Sequence, residues 1–208
     1  MNWRGYGTRT PPGFTGADLN EQTSVLARGL QALGKARLIV DVGCGAGQSS
    51  SKLPPSARVI ALDVDGDVLA RAPRRPNVLY VRGDATRMPL ASSAVDGSYS
   101  FGLLQILGLA GNKHIRQSLR ELQRVLRGSG VAIIGTLADF RSQQADSRSL
   151  TGAEVSKCMQ GTFTLNELIG LMDTDCSGKQ ARYWYIEAHP VATDRKNSVG
   201  NGADFVTT

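Results

Sequence analysis

The sequence predicts an α/β domain built on a doubly wound, mostly parallel sheet with helices on both faces and an antiparallel strand near its C-terminal end. Three observations carry that expectation. Short apolar runs of strand length alternate with stretches of helical character between residues 37 and 137. Each run ends in small or acidic residues, and a glycine-rich turn follows the first of them. Continuous apolar runs are the pattern of strands buried on both faces. Strand–helix alternation at this spacing implies right-handed crossovers and parallel pairing.

Residues 1–16 are rich in glycine and proline and predict a flexible arm ahead of a single domain over 17–190. Thr15 is placed to cap a helix whose Leu19, Leu26, Leu30 and Leu33 recur at helical spacing. Four buried strands follow at 37–42, 58–64, 77–84 and 94–102. Between them, "GQSSSKL", "GDVLARA" and, more weakly, "ATRMPLA" read as short helices. "NKHIRQSLRELQRVLRGSG" gives the clearest helix, with Ile115, Leu119, Leu122, Val125 and Leu126 on one face and an end marked by Gly128 and Gly130. Residues 131–137 predict a fifth strand, 164–173 a helix with Asn166 and Glu167 in its first turn, and 181–188 a last strand. The polar segment 139–163 is expected to be an irregular lid over the site. The tail, 191–208, has too little apolar content to pack and is expected to be disordered.

Bulk properties narrow the function. A chain of 208 residues, 41% hydrophobic, can bury one sizeable core. No apolar run reaches the length of a membrane span, and the first residues lack the apolar stretch of a secretion signal, so a cytoplasmic location and no membrane partner are expected. Cys44, Cys158 and Cys176 form neither a disulfide framework nor a metal-binding spacing; reduced thiols and no metal are expected. The net charge of +6 favours anionic partners, but the basic residues are scattered apart from Arg71, Arg74 and Arg75.

"LIVDVGCGAGQSS" (38–50) carries the chemistry. Glycines directly after a strand let something approach the main chain closely. Phosphate-binding turns use G-x-G-x-x-G or G-x-x-x-x-G-K-[ST]. Here Gly43, Gly45 and Gly47 give G-x-G-x-G with Asp41 two residues ahead, an arrangement better suited to a cationic ligand than to a phosphate. S-adenosylmethionine, with an ammonium, a sulfonium and no phosphate, is such a ligand. Asp41 is equally placed to cap the turn through main-chain N–H groups.

"VDVGCGAGQ" resembles the first motif of the class I S-adenosylmethionine-dependent methyltransferases, which share a Rossmann-like fold. "IALDVD" is similar to the second, and "VRGDATRMPLASSAVDGSYSFGLLQIL" with "LRELQRVLRGSGVAIIG" resembles those that follow, so that the likeness covers roughly 17–140 and more loosely extends to 188. The resemblance implies that Asp63 binds both ribose hydroxyls, Val64 lies on the adenine face, Asp84 meets the adenine amino group and Ala85 the ring edge. It also implies that Phe101 faces the methionine part. Each has an alternative: Asp63 as a cap of the helix "GDVLARA", Asp84 as a cap of the following turn, Val64 and Phe101 as core. "LLQIL" stands where many relatives carry a histidine pair, so no histidine base can be carried over to Gln105 or Ile106 and no catalytic residue is assigned. His114 and His189 read as an exposed first-turn residue and a strand-end marker; Asp139, Arg141, Arg148, Trp3 and Tyr6 are weaker candidates for contacts over the site.

The implied activity is methyl transfer from the cofactor to an O, N or C nucleophile of a small molecule. Two alternatives stay open: a nucleic-acid methyltransferase using the arginines at 71–75, and a cofactor-binding partner subunit without catalysis. A nicotinamide-dependent dehydrogenase is disfavoured because Gly47 comes too early for that fingerprint.

Overall fold

The computed structural model describes residues 23–138, 149–174 and 180–192. The expected N-terminal arm with Thr15 and Leu19, residues 139–148 of the expected lid, Cys176 and the tail from 193 lie outside them. The strands are β1 (Leu38–Val42), β2 (Arg58–Asp63), β3 (Val78–Arg82), β4 (Val95–Phe101), β5 (Leu126–Leu137), β6 (Phe163–Thr174) and β7 (Gln180–Pro190). The helices are α1 (Thr23–Ala32), α2 (Gly66–Leu69), α3 (Leu103–Leu109), α4 (Asn112–Val125) and α5 (Gly152–Met159).

Within the described residues the strands form one sheet in the order β3-β2-β1-β4-β5-β7-β6. β1 to β5 are parallel, β7 runs antiparallel to β5, and β6 antiparallel to β7. The chain first builds outward from β1 to β3 and then restarts on the other side of β1 with β4. The carboxyl ends of β1 and β4 therefore flank the switch point where open α/β sheets receive ligands.

Both faces are covered, as the apolar runs require. On one, Ile115, Leu119, Leu122 and Val125 of α4 join Leu104 and Leu107 of α3 and Val155, Cys158 and Met159 of α5 over Val40, Val42 and Ile134. On the other, Val25 and Leu26 of α1 with Leu33 cover Ile39, Val59, Tyr99 and Ile133. Side chains of this kind contribute about 1.5–3 kcal/mol each when fully buried. Gly29 lets α1 lie close, because a Cβ there would stand 2.9 Å from Ile133 Cγ2.

Several elements depart from expectation. Residues 164–173 are not a helix but most of β6, paired along its length with β7. A register shift between Leu165 and Glu167 inserts an extra residue. Leu165 and Leu168 then pack against one core cluster, while Ile169 and Leu171 pack against the other. Apolar residues at 165, 168 and 169 thus imitate helical spacing inside a bulged strand. β5 begins at Leu126 rather than 131, directly after α4, so Gly128 and Gly130 lie within the strand. "ATRMPLA" forms turns, and in "GQSSSKL" only Ser50–Lys52 make a 3₁₀ turn.

The segment expected to be irregular contains α5, closed by a capping box. Thr151 Oγ1 accepts the Glu154 N–H at 3.2 Å, and Glu154 Oε2 accepts the Thr151 N–H at 2.9 Å. α3 had no counterpart in the sequence reading.

Candidate functional site at the carboxyl end of the sheet

The glycine turn is held by its own backbone and by Asp63. Gly43, Gly45 and Gly47 all have positive φ, at 74°, 53° and 75°. The N–H groups of Gly43 and Cys44 both donate to the Leu62 carbonyl, at 2.8 and 3.1 Å. The Gly45 N–H donates to Asp63 Oδ2 at 2.8 Å, and the Gly47 N–H to the Cys44 carbonyl at 2.9 Å. Four amides of the turn are therefore already engaged, and the turn differs in kind from a phosphate cradle, whose N–H groups point at the anion.

The two carboxylates above the sheet are similarly fixed. Asp63 ends β2 and also accepts the Asp65 N–H on Oδ1 at 3.0 Å. The helix-cap role weighed for Asp63 belongs instead to Asp65, whose Oδ1 accepts from the N–H groups of Asp67 and Val68 at 2.9 and 3.3 Å. Asp84 Oδ1 takes both the N–H and the Oγ1–H of Thr86, each at 2.7 Å. Its Oδ2 has no hydrogen-bond partner among the described residues, so Asp84 caps the turn and keeps an oxygen for a donor.

An open cleft of about 200 Å³ lies over these groups. Of the nine residues singled out in the sequence, Gly43, Gly45, Asp63, Val64, Asp84, Ala85 and Phe101 line it. Phe101 also meets Tyr183, ring centroids 5.3 Å apart, so cavity wall and core are one position.

Asp41 and Gly47 do not line the cleft. Asp41 is 1% exposed beneath the turn, where Ser50 Oγ–H donates to its Oδ2 at 2.5 Å. Burial pushes its carboxyl up to about 7, against the Ser50 bond, with the charge of Asp63 adding to the rise. Gly47 makes room for a side chain, not a ligand: a Cβ there would stand 2.4 Å from Tyr80 Oη, which is anchored on the Pro73 carbonyl at 3.0 Å.

The opposite wall was not read from the sequence. Gly102, Leu103, Ile106 and Leu107 supply it, with Leu62 and Gly83 at the strand ends. The sequence signal was Gly102 (φ 77°), which marks the break from β4; the run "LLQILGL" after it is too uniformly apolar to show a helical face. Gln105 points its Oε1 at β5, accepting the Leu137 N–H at 2.8 Å. No lysine, arginine or histidine lines the cleft among the described residues. His114 is held at the start of α4 by its N–H on the Gly111 carbonyl, and His189 Nδ1 lies 2.9 Å from the Gly130 carbonyl. Arg71, Arg74 and Arg75 are exposed outside the cleft. Cys44 and Cys158 are buried and in no disulfide. No helix of the described residues is long and apolar enough to cross a membrane.

This topology, with a glycine turn after β1 and an acid closing β2, is the Rossmann-like fold of class I methyltransferases. Residues 40–134 match the family model described as a methyltransferase domain, which bears out the resemblance over those residues. The malonyl-[acyl-carrier protein] O-methyltransferase of Pectobacterium atrosepticum is 36% identical over 103 residues, 49% of this chain and 39% of that protein. A demethylmenaquinone methyltransferase of Beutenbergia cavernae is 33% identical over 111 residues, 50% of this chain and 43% of that one. The matched stretch spans less than half the length of either relative.

Among solved structures, a geranyl diphosphate C-methyltransferase from Streptomyces coelicolor, in complex with Mg2+, geranyl diphosphate and S-adenosylhomocysteine, superposes with a TM-score of 0.66. It does so at 15% identity, covering 81% of this chain and 77% of that one. The 1,6-didemethyltoxoflavin-N1-methyltransferase of Burkholderia thailandensis gives 0.66 at 17% identity over 85% and 80%. These likenesses establish the fold.

Proposed function

We propose that the protein binds S-adenosylmethionine in this cleft and transfers its methyl group to a small molecule by in-line displacement. The observation that carries the reading is the composition of the cleft. Two carboxylates, Asp63 and Asp84, face it; the amides of Gly43, Cys44, Gly45 and Gly47 are engaged within the protein; and no basic side chain lines it among the described residues. Such a mouth favours a cationic, phosphate-free nucleoside over a dinucleotide. The named relatives support the activity.

In this reading Asp63 accepts from the ribose hydroxyls, its orientation set by the Gly45 and Asp65 N–H groups. Asp84 Oδ2 accepts from the adenine amino group, with Ala85 at the ring edge, Val64 on its face and Phe101 beside the methionine part. Gly43 and Gly45 allow close approach, and Asp41 supports the turn from below. The sulfonium is already a good leaving group, so positioning supplies much of the acceleration. The chain's task is to hold acceptor and methyl carbon in line against the apolar wall and exclude water.

The test is calorimetric titration with S-adenosylmethionine, S-adenosylhomocysteine and NAD. Both sulfur compounds bind and NAD does not; Asp63→Ala loses about tenfold or more in affinity while keeping a cooperative melt. Failure of both sulfur compounds to bind folded protein would overturn the reading.

A further inference from the structure

We infer that a second pocket, at the amino end of the parallel strands, binds a small organic phosphate ester. It lies apart from the cleft described above: Asp96 lines this pocket and Phe101 the cleft, with about 16 Å of β4 between them.

Lys35 and Arg37 reach this pocket from the loop between α1 and β1, Asp96 from the start of β4, and Arg127 and Ser129 from the start of β5. β7 runs the other way and ends here with Glu187 and His189. The two carboxylates are already engaged. Asp96 Oδ2 accepts the N–H groups of Arg37 and Leu38 at 3.0 and 2.9 Å, and Arg127 pairs with its Oδ1. Against burial, these bonds hold the Asp96 carboxyl below the ordinary carboxylate range, so it is ionised and bound within the protein. Glu187 Oε1 accepts from Asn166 Nδ2 at 2.6 Å, and its Oε2 from the Tyr185 hydroxyl at 3.1 Å.

What the pocket leaves unspent is a set of donors. The side chains of Lys35, Arg37 and Ser129 are exposed and have no partner among the described residues. His189 Nδ1 lies 2.9 Å from the Gly130 carbonyl, which can only accept, so Nδ1 carries the hydrogen and Nε2 is left to donate when the ring is protonated. An ammonium, a guanidinium and a hydroxyl around one cavity suit an anion with several terminal oxygens, and a guanidinium fits two phosphate oxygens at once. The cavity, about 490 Å³, is of the size that holds small ligands, and Ala32, Ala36 and Val131 give it an apolar part for the ester group. The two ends of the sheet therefore have opposite characters. Carboxylates without a basic side chain line the carboxyl end among the described residues, and cations with engaged carboxylates line the amino end.

Calorimetric titration of the full chain with phenyl phosphate, inorganic phosphate and benzoate at low salt tests this. Phenyl phosphate binds, and inorganic phosphate and benzoate bind about threefold or more weakly, the first for want of the ester group and the second for want of oxygens. Arg37→Gln and Lys35→Gln, which remove a charge from an exposed side chain, each lower phenyl phosphate affinity about fivefold and keep a cooperative melt. Arg71→Gln removes one charge from an exposed position outside the pocket and changes that affinity by less than about twofold, which separates a site from the general attraction of a basic chain. No binding of phenyl phosphate, or equal binding by both pocket variants and wild type, overturns the inference. So does a loss in Arg71→Gln as large as in Arg37→Gln. Inorganic phosphate or benzoate binding as tightly as phenyl phosphate overturns the assignment to a phosphate ester. These outcomes leave the reading of the carboxyl-end cleft untouched, and failure of that cleft to bind S-adenosylhomocysteine leaves this inference standing.

Discussion

The two walls of the cleft are built on different physics. On the side of β1, β2 and β3, the ligand-facing groups are backbone turns and carboxylates locked by local bonds: Gly45 to Asp63, Asp65 to Asp63, Thr86 to Asp84. On the side of α3, the lining is a helix face of leucine and isoleucine, tied to the neighbouring strand by the Leu137 N–H on Gln105 Oε1. The first wall has a fixed polar pattern and suits one invariant ligand. The second is apolar and offers shape in place of a fixed polar pattern.

Substitutions sharpen that contrast. The largest effect falls on Gly47→Ala. Left-handed φ and the Tyr80 hydroxyl 2.4 Å from the new carbon together cost about 2–5 kcal/mol, read as a fall in the urea midpoint. Gly45→Ala meets nothing within 4 Å and costs only about 1–2 kcal/mol from φ, yet its methyl enters a position that lines the cleft and weakens cofactor binding. Equal destabilisation by the two would break the distinction between a packing glycine and an approach glycine.

Asp41 sets a pH dependence. Its folded-state value is raised from 3.8 to about 7, chiefly by burial. The folded state then binds more protons than the unfolded one between those values, so stability falls as pH rises through that window. Asp41→Asn flattens this slope, by a few kcal/mol at most over the range, in melts taken at several pH values. A slope unchanged in the variant would show that the carboxyl titrates normally. Ile106→Ala on the opposite wall gives the smallest effect: about 1 kcal/mol in stability, unchanged S-adenosylhomocysteine affinity and altered acceptor binding.

The same division explains what could be read from the sequence. The glycine turn, Asp63 and Asp84 were legible because a strand followed by positive-φ glycines, and acids at strand ends, are local patterns with few solutions. Asp41 and Gly47 carried the same motif signal but face the interior, and which side of a turn faces the ligand is set by tertiary packing against Ser50 and Tyr80. α3 is short and nearly all apolar, so its seven residues gave no amphipathic contrast. β6 was misread because its bulge placed leucines at helical intervals on a strand packed on both faces. α5 had a readable start in "TGAE", inside a long polar segment without a regular apolar pattern.

The central claim is that engaged amides and two carboxylates make the cleft select a cationic nucleoside and reject phosphate. Its most direct test is a parallel calorimetric titration with S-adenosylmethionine, adenosine and AMP at low salt. Affinity falling in that order, with AMP weaker than adenosine despite sharing its base and ribose, is the predicted result. AMP binding more tightly than adenosine would contradict the account, because the cleft would then favour an anion although Asp63 and Asp84 line it and no basic side chain does among the described residues.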